Sequence, residues 1–231
     1  MTQKLATLLT TKDNISIITL DDGKANVFSS AMIEDINDCL DRVPTDKGAL
    51  IITGREGIFS GGFDLKIISS GDMKAIHKMT YSGFRLLSRI LSFPRPVIGV
   101  CTGHAIALGT FLLCCCDYRI GAKGDFMIGA NEMRTNMVIP IPILELIRFR
   151  VSERHKYRAI LGAEMYSIEA AVDAGLMDQA VEQEKLMEIA LKKAEDLATM
   201  GHPSYSLTKE LFINDVAAKI NNALDEIDVT T

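Results

Sequence analysis

The sequence has 231 residues, a formal net charge of -5 and 48% hydrophobic residues, an ordinary composition for one large globular domain or one and a half. No window reaches the roughly 18–20 unbroken apolar residues a membrane helix needs, and the slight acidity argues against a nucleic-acid footprint. The opening Met1-Thr-Gln-Lys-Leu-Ala-Thr7 has no apolar core leading to a small-residue cleavage site, so no secretory signal is read and a cytoplasmic protein is expected. In chain order, strands are predicted over Lys4–Thr11 and Ile15–Leu20, the second β-branched and ending at Asp21-Asp-Gly23. Ser29 or Ser30 can cap a helix running to about Val43, with Met32, Ile33, Ile36 and Leu40 on one face. Ala49–Thr53 reads as a short apolar strand closed by Gly54, followed by the glycine-bearing segment Ile58–Leu65. A helix is predicted over Met73–Leu91, stopping before Phe93-Pro-Arg-Pro96. Val97–Cys101 is a buried strand, and Gly103–Gly109 leads into an apolar helix over Thr110–Cys116. Asp117–Ile120 is a further strand.

Past Pro142 the pattern becomes helix after helix: Ile143–Arg150, Glu153–Leu161, Ser167–Ala174, Glu184–Thr199 and Ser204–Leu224. The division is therefore an α/β part over 1–142 and an α-helical part over 143–231. Little sequence follows Leu224. Strand–helix alternation by itself predicts a doubly wound sheet. The five cysteines include the run Cys114-Cys-Cys116, with no CxxC spacing. They read as small buried hydrophobes of a reducing compartment rather than a metal or redox site.

Three segments carry a family resemblance. Phe59-Ser-Gly-Gly-Phe-Asp-Leu65, Pro96–Gly109 and Cys116-Asp-Tyr-Arg-Ile120 with Ile128-Gly-Ala-Asn-Glu132 stand in order. Lys24-Ala25 and Tyr166–Leu176 add supporting matches. Together they resemble the crotonase (enoyl-CoA hydratase/isomerase) superfamily, over most of the chain from about residue 14 to 185. The resemblance replaces the doubly wound expectation. It implies an α/β crotonase fold: a superhelical spiral of ββα turns with a C-terminal helical trimerisation region, giving a homotrimer or a dimer of trimers.

It also implies chemistry on an acyl-CoA thioester, with coenzyme A as part of the substrate and no separate cofactor or metal. Such reactions pass through an enolate, whose developing charge needs fixed N–H donors. By motif position the donors are the backbone N–H groups of Phe63 and Leu108. Both follow small or glycine-rich sequence that lets backbone approach a ligand. The family often has glycine where Leu108 stands, so this donor requires non-glycine dihedrals. Family hydratases bear two glutamates. Here the central-helix position is Phe111 and only Glu132 remains, preceded by Asn131. Family double-bond isomerases have an apolar residue at that position and one carboxylate, so the resemblance is to Δ3–Δ2-enoyl-CoA isomerases, with Glu132 as proton shuttle. A hydratase and a non-catalytic acyl-CoA-binding homologue are the alternatives.

An apolar pocket should raise the Glu132 pKa. Without the resemblance, Glu132 would read as a loop carboxylate paired with Arg134. The same motif positions place Lys24, Ala25, Gly61, Gly62, Asp64, Leu65 and Lys66 against the substrate or its CoA moiety. Lys24 and Lys66 are candidates for the CoA phosphates, although exposed lysines are ordinarily just solvated. Asp64 reads as an acceptor for loop N–H groups, and His77 and His104 as structural. No carboxylate stands between Met133 and Leu144, which argues against the dienoyl-CoA isomerase variant.

Overall fold

The computed structural model describes residues 4–10 and 14–229. Thr11, placed in the first predicted strand, lies outside the described residues, as does Met1–Gln3 of the opening segment. The chain begins with β1 (Ala6–Thr10), β2 (Ile15–Leu20) and α1 (Ser30–Leu40), then β3 (Ala49–Thr53), β4 (Gly57–Ser60), α2 (Leu65–Ile68) and α3 (Met73–Leu91). It continues through β5 (Val97–Cys101), β6 (Gly103–Ile106), α4 (Leu108–Cys115), β7 (Tyr118–Ala122) and β8 (Ile128–Gly129). It ends with α5 (Ile141–Arg150), α6 (Lys156–Ile160), α7 (Ile168–Ala174), β9 (Gln179–Val181), α8 (Leu186–Ala198) and α9 (Ser204–Val229). Ser29 is the cap of α1: its hydroxyl accepts the Met32 N–H, and the helix stops at Leu40, short of the predicted Val43.

Two sheets organise these elements. The larger runs β1-β2-β3-β5-β7-β9 and the smaller β4-β6-β8. Among the described residues, β1–β2 is the one antiparallel strand pair; every other strand pair is parallel. In each of the pairs β3–β4, β5–β6 and β7–β8, the first strand joins the large sheet and the second the small one. With the helix that follows, each pair makes one ββα turn of a spiral. This is the crotonase fold and not a doubly wound sheet. The alternation reading missed it because β4, β6 and β8 are four, four and two residues long, too short to show a period.

The large sheet is buried on both faces, which is why β3 and β5 read as unbroken apolar runs. On one face Ile17, Ile51, Ile98 and Ile120 pack under α8 through Leu186, Ala190 and Ala194. On the other, Ile18, Leu50 and Ile52 join the spiral interior with the wholly buried α4. Each fully buried Ile or Leu contributes about 1.5–3 kcal/mol.

The predicted all-helical C-terminal stretch contains one strand, β9, which pairs with β7. An ion pair secures that return. Arg119, 5% exposed, meets Asp178 with Nε–Oδ2 and Nη2–Oδ1 both at 2.8 Å, and its backbone N–H also donates to Oδ2 at 2.8 Å. The cysteines are all free and buried, and burial pushes the Cys101 and Cys116 thiols up to about 12. Among the described residues, no helix is long and apolar enough to cross a membrane.

Candidate active site

Three of the segments singled out in the sequence leave the end of a small-sheet strand. Gly61–Leu65 follows β4, Ala107–Phe111 follows β6, and Asn131-Glu132 follows β8. Because these strands are parallel, the three segments emerge at one edge and meet there. Gly103 permits this packing: a Cβ on it would lie 2.0 Å from the Gly57 carbonyl carbon. The segments enclose a cavity of about 380 Å³ lined by Gly61, Phe63, Leu65, Leu108, Phe111, Asn131 and Glu132. Thr80 and Phe84 of α3, and Met137, Val138 and Ile143, complete most of its apolar wall. A hollow of about 500 Å³ between α9 and the Ser92–Pro94 turn is larger. Its buried lysine, Lys209, is already paired with Asp117 at 2.7 Å, and it gathers none of the residues expected to do chemistry.

The loop after β4 is held from beneath. The Ser60 hydroxyl donates to Asn26 O at 2.6 Å and accepts the Gly62 N–H at 3.1 Å. Gly62 has φ +89°, and a Cβ there would press on Ile106 O at 3.0 Å and Ala107 Cβ at 3.1 Å; both reasons require glycine. Phe28 N–H donates to Gly62 O at 2.8 Å and Asp64 N–H to Phe28 O at 3.4 Å. These bonds use the Gly62 carbonyl, which shares a peptide group with the Phe63 N–H, and the N–H of the next residue. That N–H itself has no backbone acceptor among the described residues.

The second donor comes from α4. Ala107 has φ 50° and ψ −118°, a conformation that costs a non-glycine residue about 1–3 kcal/mol. Its N–H donates to Gly129 O at 2.9 Å and its carbonyl accepts the Phe111 N–H at 3.1 Å, so the strained residue is pinned at both ends. Leu108 is the first residue of the helix, where an N–H has no partner one turn back and the helix dipole is positive. The positive φ falls on Ala107 and not on Leu108, which is how leucine is tolerated at its position.

Glu132 opens a single 3-10 turn, Glu132–Thr135. It is 8% exposed, and its Oε2 has no hydrogen-bond partner among the described residues. Burial pushes its pKa above the ordinary carboxylate value, opposed only by its own backbone N–H. Arg134 does not pair with it: the guanidinium Nε donates to Ala163 O at 3.1 Å. Phe111, 3% exposed, lies one turn into α4 and lines the same cavity.

The other expected residues stand outside the lining. Gly62 backs the cavity wall, and Ala25 O accepts the Gly61 N–H at 2.8 Å. Asp64 caps α2, accepting the Lys66 N–H at 2.9 Å. The side chains of Lys24, in the loop after β2, and Lys66, in the first turn of α2, are exposed. His104 Nδ1 accepts the Met127 N–H at 3.1 Å, and His77 stacks on Tyr81. Among the described residues, no three His, Cys, Asp or Glu side chains are grouped to hold a metal ion. Sequence reasoning missed Ala107, Thr80, Phe84 and the wall from Met137 to Ile143. Thr80 and Phe84 stand four apart on one face of a predicted helix, a signal that marks a shared face but not what it faces.

Residues 10–229 match the enoyl-CoA hydratase/isomerase family. A "probable enoyl-CoA hydratase" of Bacillus subtilis (strain 168) is 30% identical over 190 residues, covering 78% of this chain and 73% of that protein. Human mitochondrial enoyl-CoA delta isomerase 1 is 22% identical over 215 residues, covering 89% and 70%. One Mycobacterium tuberculosis protein has been solved under two descriptions. As a probable enoyl-CoA hydratase it superposes with TM-score 0.93 at 37% identity, covering 98% of this chain and 95% of that one. As an enoyl-CoA isomerase it superposes with TM-score 0.92 at 36% identity, covering 99% of each chain.

Proposed function

Starting from the fact that this chain belongs to the enoyl-CoA hydratase/isomerase family, we propose that it shifts the double bond of a 3-enoyl-CoA to the 2-position. In this reading the thioester oxygen lies between the Phe63 and Leu108 N–H groups. Glu132 takes a proton from C2, the negative charge spreads through the dienolate to that oxygen, and Glu132 returns a proton at C4. The double bond then lies between C2 and C3, and the carboxylate is regenerated. Each N–H donor is worth about 2.7–4 kcal/mol to the transition state in comparable sites.

One observation carries the choice of isomerisation: among the described residues the cavity lining contains a single carboxylate, Glu132, and an apolar Phe111. Hydration needs one group to activate water and another to deliver a proton; a double-bond shift needs only one that works in both directions. The raised Glu132 pKa suits a shuttle that must both take and give a proton near neutral pH. Coenzyme A enters as part of the substrate, with Lys24 and Lys66 proposed to meet its phosphates. The active assembly is proposed to be a trimer or dimer of trimers built through the helices after Ile143. Support comes from α9, which leaves Leu207, Leu211 and Phe212 56%, 79% and 70% exposed.

Assaying purified protein on 2-enoyl and 3-enoyl thioesters side by side tests the function. Faster hydration of crotonyl-CoA than isomerisation of a 3-enoyl-CoA would overturn the isomerase reading in favour of a hydratase. Tight acyl-CoA binding without turnover would make the chain a non-catalytic binder. Light scattering at micromolar concentration tests the assembly, and a monomer would refute it.

A further inference from the structure

Two separate pieces of chain bring the proposed oxyanion donor and the proposed base to the cavity, and one side chain ties them together. Thr110 is 2% exposed and stands two residues beyond Leu108 in α4. Its hydroxyl donates to Ala105 O of β6 at 2.6 Å and accepts the Gly129 N–H of β8 at 3.0 Å, with Gly129 O a further 3.2 Å away. Gly129 O also accepts the Ala107 N–H at 2.9 Å. Both peptide groups of Gly129 are thus fastened to the segment that opens α4. Glu132 follows Gly129 by three residues and Leu108 precedes Thr110 by two. β8 is only two residues long, so it has little ladder of its own to fix its register. Its other residue, Ile128, is paired with Tyr166 on the far side.

From this we infer that Thr110 is a positioning residue whose hydroxyl sets the placement of the Glu132 carboxylate relative to the Leu108 N–H. The inference rests on the roles proposed above for those two groups. Thr110 does not line the cavity and acts only through its neighbours. Acid–base chemistry is sensitive to such placement: a shift of about 1 Å in a catalytic group can cost about 10²-fold in rate. Valine at this position would keep the volume and remove both hydrogen bonds. Serine would keep the hydroxyl and lose a methyl.

The experiment compares wild type, Thr110→Val, Thr110→Ser and Thr110→Ala in two assays. One follows isomerisation of a 3-enoyl-CoA. The other follows exchange of the C2 protons of a saturated acyl-CoA with deuterated water, which reads enolate formation without any double-bond shift. Thr110→Val should lower kcat and the exchange rate by about 10–100-fold with KM little changed, and Thr110→Ser should recover most of the loss. If Thr110→Val does not fold, Ser and Ala decide the matter, since they differ only in the hydroxyl: Ser fast and Ala slow supports the inference. Val at the wild-type rate, or Ser falling as far as Ala or Val, overturns it. A wild type that exchanges C2 protons but does not isomerise sinks the isomerase reading alone, and Thr110 is then judged on exchange. A wild type inactive in both assays sinks both.

Discussion

The cavity and the seam between α5 and α9 each hold a carboxylate largely withdrawn from solvent, and they treat it in opposite ways. In the seam, Glu145 meets Arg148 at 2.6 Å and Lys219 at 3.3 Å. Burial pushes its pKa up, but the hydrogen bonds from those two cations outweigh burial and hold it below the ordinary value. In the cavity, among the described residues, Glu132 has no cation beside it and one oxygen without a partner, and its pKa is raised. The contrast extends to backbone and strain. The β7–β9 junction satisfies Arg119 with four hydrogen bonds to Asp178 and Gly175, whereas beside the strained Ala107 the Phe63 N–H has no backbone acceptor among the described residues. At these two sites the polar groups that hold the fold are paired, whereas the region proposed for chemistry leaves the Glu132 Oε2 available for a ligand.

The sharpest way to break the comparison is to neutralise Glu132. Glu132→Gln keeps its shape and removes the base, which commonly costs about 10²–10⁴-fold; with no second carboxylate in the cavity lining among the described residues, the upper part of that range is expected in kcat. Near-wild-type turnover would place the base elsewhere. The same variant has a stability signature. Because the folded-state pKa of Glu132 is raised, its protonated form is the stable one: that stability is full below the unfolded value near 4.5 and is lost as pH rises through the folded value. Glu132→Gln should therefore melt higher than wild type at neutral pH. The gain should fade below the ordinary carboxylate pKa; an equal gain at acid pH would contradict unpaired burial.

On the paired side, Asp178→Ala should destabilise the fold by about 3–5 kcal/mol, because it strands the buried Arg119 cation. Urea denaturation reads this directly, and a loss under about 1 kcal/mol would mean that Arg119 finds water or another partner. Next in size is the pH profile. Turnover should fall about tenfold per pH unit on the acid side, with a midpoint above the ordinary 4.5 of a glutamate. A midpoint at or below that value would show that substrate or solvent supplies the missing partner. The smallest effect is expected from Glu145→Gln. Its cations are mostly exposed, so the pair contributes about 1 kcal/mol or less, and turnover should not change. A loss of turnover comparable to that of Glu132→Gln would erase the distinction between the two carboxylates.

Strands β2, β3 and β5 and helix α3 have the bounds that the sequence predicts, because apolar runs and capped amphipathic faces are local patterns tied to burial on one or both sides. The division at 142 into an α/β and a helical part remains an expectation, and β9 shows how a three-residue strand escapes a helical period. The small sheet escaped for the same reason: β4 and β6 contain glycine and β8 is two residues long. Its three strands are nevertheless what bring the site segments to one edge.

By itself, then, the sequence determined the globular-type composition, the long elements, the family resemblance and the identities of Phe63, Leu108, Phe111 and Glu132 as residues to watch. Residue types and their order are one-dimensional facts, and motif spacing preserves them. Only the tertiary structure decided that Glu132 lacks Arg134 as a partner, that Glu145 has two, that the strained φ falls on Ala107, and that Thr110 joins β6 to β8. Those outcomes depend on which groups meet across distant parts of the chain, and in this fold the meetings are made by parallel strands too short to leave a period in the sequence.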